Sequence, residues 1–144
     1  MEPYTRNFIR ASLIWLTVGV AIGFSMAVSP ELVTLRRAHV HANTLGFVSM
    51  MIFGVAYHVL PRFVGTRLWS NRAARAHLWL ANAGLALMVS GWIGFVAFNG
   101  TSIGRVLLAN GAILSAGGTI LFVVNIWRTL GAQPAQLTVM RRAA

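Results

Sequence analysis

Long uncharged apolar runs dominate this chain, and charged residues only mark their ends. Residues 11–30, 38–61, 76–104 and 106–127 contain no Asp, Glu, Lys or Arg. A helix needs about 20 residues to cross a hydrocarbon core of about 30 Å, so each run is long enough. None alternates with period two. Backbone groups in lipid must be satisfied within their own segment, so each run predicts a membrane helix and a barrel is excluded. The expected fold is all-α: an integral membrane four-helix bundle in one domain, residues 1–144, with spans at about 8–28, 38–60, 77–98 and 106–127. The first run lacks a clean small-residue cleavage site and reads as a retained helix. The tail from Gly131 onward reads as a short surface segment.

Charge adds an orientation. The net charge of +10 comes from twelve arginines and no lysine, opposed only by Glu2 and Glu31. Charged residues make up 10% of the chain and hydrophobic ones 57%, whereas soluble domains carry about 25% charged residues. The arginines punctuate apolar runs and form no stripe on a polar domain, which argues against nucleic acid as a partner and for membrane lipid. Nine of them (Arg6, Arg10, Arg62, Arg67, Arg72, Arg75, Arg128, Arg141 and Arg142) fall on one side of the predicted topology. Arg36, Arg37 and Arg105 fall on the other. The positive-inside rule then puts both termini in the cytoplasm, in a multi-pass protein of a bacterial inner (cytoplasmic) membrane. Cysteine is absent, which removes iron–sulfur clusters, thiolate zinc sites, disulfides and covalently attached haem.

Small residues predict where helices approach closely: Gly19 with Gly23 on the first span, and Gly111, Ser115, Gly117 and Gly118 on the fourth. The tryptophans Trp15, Trp69, Trp79, Trp92 and Trp127 lie partly at span ends, as interfacial residues do.

Histidine is the unusual feature. The second span carries His39 and His41 near one end and His58 near the other, about 25 Å along the helix at 1.5 Å per residue. His77 opens the third span beside Arg75 and reads as an interfacial residue. His39 and His41 point about 200° apart on a regular helix and do not clamp one ion. At about 100° per residue the His41 stripe is Leu45, Val48, Ile52, Val55 and Val59. That face is aliphatic, suited to lipid, to another copy of the chain or to the flat wall of a porphyrin. The His39 stripe (Asn43, Gly46, Met50, Phe53 and Tyr57) reads as the bundle interior. A histidine in the membrane needs a partner.

Val40-His41-Ala42-Asn43-Thr44-Leu45, closed by Phe53-Gly54-Val55-Ala56-Tyr57-His58-Val59-Leu60-Pro61, resembles the second helix of the catalytic subunit of the haem–copper oxidase superfamily, and most of all its nitric oxide reductase branch. The likeness covers about 24 residues, one helix in four. It implies that His41 is an axial ligand of a b-type haem. That family takes its second axial histidine from a later helix and has further histidines beside its active haem, for which these residues offer no counterpart. No acidic residue lies inside a span. The resemblance therefore implies a small b-type cytochrome for electron transfer or for binding nitric oxide or oxygen, and leaves enzymatic activity open.

Around that ligand, Arg36 and Arg37 would face the propionates, and Asn43 would stand near the imidazole. His41 of a second copy, most simply across a two-fold interface in a homodimer, or His39 of a neighbouring chain would complete the iron's coordination, or the iron stays five-coordinate and open to a small gas. A redox protein or a quinol would exchange the electron. A second haem between His58 and His77, near Arg62 and Arg75, would extend the path across the membrane. Two readings compete with this one. The chain is a non-catalytic membrane scaffold or accessory subunit, or it handles copper through His39, His41 and Met50.

Overall fold

A computed structural model describes residues 1–97 and 102–132. Those residues form four long apolar helices and no strand. They are α1 (Pro3–Val28), α2 (Pro30–Phe63), α3 (Asn71–Ala97) and α4 (Ser102–Leu130), each long and apolar enough to cross a membrane. Helices α2 and α4 run past both ends of their expected spans, and α1 and α3 start before theirs. Residue 98, the last of the third expected span, and the surface tail from 133 onward, with Arg141 and Arg142, lie outside the described residues.

Local chemistry sets the helix boundaries. Pro3 and Pro30 open α1 and α2 at positions where the missing N–H has no helical partner to lose. The second helix is not regular. It begins as a 3₁₀ segment over Pro30–Leu35, becomes α over Arg36–His41, widens to a π-helix over Ala42–Ser49 and returns to α over Met50–Phe63. The Ser49 hydroxyl bonds to the Thr44 carbonyl at 2.8 Å, five residues back, which matches the π spacing. Gly65 ends α2 with φ 65°. Its N–H bonds to the Arg62 carbonyl at 3.2 Å and the Thr66 N–H to the Pro61 carbonyl at 2.9 Å, the paired bonds of a Schellman stop. The loop that follows is pinned to α4. The buried Asn125 amide accepts from the Ser70 N–H at 3.0 Å and donates to the Ser70 carbonyl at 2.9 Å. The Thr129 hydroxyl accepts from the Trp69 N–H at 3.0 Å. Ser70 in turn caps α3 by accepting from the Ala73 N–H.

The most extensive contact joins α3 and α4. It runs along glycines seven residues apart: Gly84 and Gly91 on α3, Gly104, Gly111 and Gly118 on α4. A Cβ on Gly111 would come within 2.6 Å of the Gly84 carbonyl oxygen, and one on Gly104 within 3.1 Å of the Gly91 oxygen. The seven-residue step keeps one seam facing the partner over the whole length of an antiparallel pair. Helix α1 packs mainly on α2, which packs on α3.

Candidate functional site

The described helices bring the histidines to three different environments. His39 lies between α1 and α2. Its Nδ1 sits 2.8 Å from the Gly19 carbonyl oxygen, which can only accept, so Nδ1 carries the proton. Asn43 follows it inward and donates to the His39 carbonyl at 2.9 Å. The Gly19/Gly23 pair makes room for both. A Cβ on Gly19 would lie 2.5 Å from the Asn43 Nδ2, and one on Gly23 2.8 Å from the His39 Cε1. The polar pair therefore locks two helices together, and Asn43 is turned away from His41 rather than standing beside its ring.

His41 faces outward, partly exposed. Its Nδ1 lies 2.8 Å from the Arg37 carbonyl one turn back, so that nitrogen donates and Nε2 keeps its lone pair. The surface below it is apolar and open: Leu45 is 37% exposed, Val48 46% and Ile52 56%. One turn above, Arg36 and Arg37 line a cavity of about 710 Å³ with Thr34, Trp92 and Phe95. The Arg37 guanidinium stacks over the Trp92 ring at 4.8 Å. A metal-binding imidazole is usually held by a hydrogen bond on its other nitrogen, and here a main-chain carbonyl supplies it. An outward lone pair, a flat apolar wall and two cations at one end fit the needs of a porphyrin.

The four residues of the second haem site are not assembled. His77 is fully buried, not interfacial. Rings from every other helix enclose it: Phe8 at 4.8 Å between centroids, Phe53 at 4.6 Å, Phe122 at 5.6 Å and Tyr57 at 5.9 Å. Its Nδ1 pairs with the Tyr57 hydroxyl at 3.1 Å. On the other side it meets Gly118, where an added Cβ would lie 3.2 Å from the ring. His58 lies one residue round from Tyr57 on a more exposed face, with its Nδ1 3.1 Å from an Arg62 guanidinium nitrogen. Arg75 is exposed. The cavity at that end, about 560 Å³, is lined by Glu2, Tyr4, Tyr57, Arg62, Arg67 and Asn71, and not by His58, His77 or Arg75. Packing has filled the space around the His77 ring with aromatic carbon.

The copper set is likewise scattered. Met50 is 1% exposed in the core, His39 faces α1 and His41 faces outward. Among the described residues no three His, Cys, Asp or Glu side chains converge on one point. Sequence reasoning missed Trp92, which it placed in an interfacial belt. It lies under Arg37, and its indole Nε1 is buried without a partner among the described residues. Trp15 is also an interior residue, donating to Asn82 Oδ1 at 3.1 Å.

No family model matches the chain. It is 30% identical to cytochrome c oxidase subunit 1 of Rhodobacter capsulatus over 119 residues, covering 67% of this chain and 22% of that protein. It is 27% identical over 122 residues to the cbb3-type cytochrome c oxidase subunit CcoN1 of Stutzerimonas stutzeri, covering 68% of this chain and 26% of that one. A cytochrome c oxidase subunit 1 homolog of Agrobacterium tumefaciens is 38% identical over 50 residues. The chain thus spans about a quarter of the length of these relatives, or less.

Proposed function

The chain is a partial homologue of subunit 1 of the haem–copper oxidases, and on that premise we propose that it is a small integral-membrane b-type haem protein that carries an electron or binds a diatomic gas, nitric oxide or oxygen. The observation that supports this best is the His41 ring. Its Nδ1–H is spent on the Arg37 carbonyl, and its Nε2 is left as a ligand on an apolar outer face.

His41 would hold the iron. The Arg37 carbonyl fixes the ring's tautomer and angle. The stripe from Leu45 to Val55 would cover the porphyrin and keep water from it, and Arg36 and Arg37 would balance the propionates. When bound, the haem supplies a reversible one-electron couple whose potential follows its ligands and surroundings. For electron transfer, His41 of a second copy across a two-fold axis would also hold the haem, since His39 is committed to α1, whereas for gas binding that place would stay free. A redox protein or quinol exchanges the electron. The arginine-rich end faces the cytoplasm of a bacterium, and the His41 end faces outward across the inner membrane.

A reduced-minus-oxidised spectrum of the detergent-purified protein tests this. The expected outcome is a Soret and α-band pair in the parent. His41→Ala loses it at unchanged yield. His39→Ala keeps it but melts earlier, because a lock between α1 and α2 is gone. A colourless parent protein would favour the accessory-scaffold reading instead.

A further inference from the structure

The outward face of α4 is more regular than contact with lipid requires. Val106, Asn110, Ile113, Gly117, Ile120 and Val124 follow one another at alternating steps of four and three. That repeat of seven keeps one stripe of a helix facing a second helix along its length. The stripe lies on the side of α4 away from the glycine seam, and its Val and Ile side chains are exposed. Asn110 is exposed with them. Arg105, at the outer membrane edge, is five residues back, about 7.5 Å at 1.5 Å per residue, so the amide sits within the uncharged run 106–127. Its Nδ2 donates to the Val106 carbonyl at 2.8 Å, and its Oδ1 has no donor among the described residues. A polar group in hydrocarbon is costly and calls for a partner. The backbone N–H groups beside it are spent within α4, so the missing donor has to come from outside the helix.

An identical helix supplies that donor. An Asn amide offers both N–H and C=O, so two copies of Asn110 facing each other satisfy one another. A single Asn in a seven-residue stripe also sets the register of a helix pair. We propose that this face of α4 docks on the same face of a second copy, in a parallel pair about a two-fold axis along the membrane normal, with the two Asn110 amides bonded to each other. Val106, Ile113, Ile120 and Val124 pack above and below that bond. Lipid is as apolar as these side chains, so the hydrogen bond between helices and the fit of the stripe supply the preference. The contact needs no haem and does not rest on the reading of His41. It is distinct from the His41 face on α2, and a chain that uses both faces forms rows in the membrane.

The test is disulfide trapping of the full chain in bilayers at a low protein-to-lipid ratio. The chain has no cysteine, so single substitutions report the face directly. Ile113→Cys and Ile120→Cys, on the stripe, should cross-link two copies under mild oxidation. Ala112→Cys and Thr119→Cys are also exposed but lie one residue round the helix. Their side chains point apart in the pair, so they should cross-link about tenfold more slowly. Adding Asn110→Leu to Ile113→Cys should slow its cross-linking about tenfold, the size of one or two hydrogen bonds between helices. Asn110→Gln, which keeps the amide, should slow it less. All variants should elute as folded protein. Cross-linking at Ile113 and Ile120 with none at Ile52→Cys supports this contact and counts only against the shared-haem pairing. The proposal is overturned by equal rates on and off the stripe, or by an Asn110→Leu variant that cross-links as fast as its parent. It is overturned too by no cross-link at Ile113 and Ile120, the result expected if lipid or a different protein covers the face.

Discussion

At the scale of single residues, the bundle depends on a few buried polar groups with one partner each. His77 keeps its place through the Tyr57 hydroxyl and four aromatic contacts. Tyr57→Phe preserves the packing but leaves Nδ1 unpaired, and should lower stability by about 1–3 kcal/mol in a thermal or denaturant melt in detergent. Asn125 is a stricter case, because both Ser70 backbone groups bond to it. Asn125→Leu should cost about 1–3 kcal/mol for each group left unpaired and should free the loop between α2 and α3 to proteolysis. Neither role was legible in the sequence. His77 follows Arg75 and Ala76, so its neighbours suggest a membrane edge. Its burial comes from Phe8, Tyr57 and Phe122, which are distant in sequence and meet only in the folded bundle. The separation of His39 from His41, by contrast, followed from helix geometry alone.

At the scale of elements, two devices decide the shapes. Gly65 stops α2 in a left-handed conformation that a side chain resists, so Gly65→Ala should cost about 1–2 kcal/mol, read from the same melts. The glycine seam sets the distance between α3 and α4. Gly111→Leu would drive a side chain into the Gly84 backbone, and the expected outcome is loss of monodisperse protein on size exclusion. Gly117→Leu, six positions along with nothing within 4 Å of its added Cβ, should elute like the parent. The small-residue spacing on the first span was readable and proved to be a real contact. On the fourth span Gly111 and Ser115, four apart, both pack on Gly84, and the same seam continues through Gly104 and Gly118 at a spacing of seven. A search for repeats of seven would have found it. The π-helix after His41 has no such signal, because it reflects how α2 settles against α1 and α3.

At the scale of the whole molecule, the proposed two-fold pairing through the His41 face makes a direct prediction. The chain has no cysteine, so single cysteines report contacts cleanly. Ile52→Cys should give a disulfide-linked dimer under mild oxidation in membranes, reversed by reductant. Ile14→Cys, more exposed but on α1, should not. A monomer in both cases would remove the shared-haem arrangement. By itself the sequence determined the four long apolar helices of the described residues and the outward, apolar setting of His41, because uncharged length and helical period are properties of the local chain. Only the tertiary structure decided which polar groups are paired, which histidine is buried among rings and which tryptophan lies beneath Arg37. Those depend on contacts between helices, and no single helix encodes them.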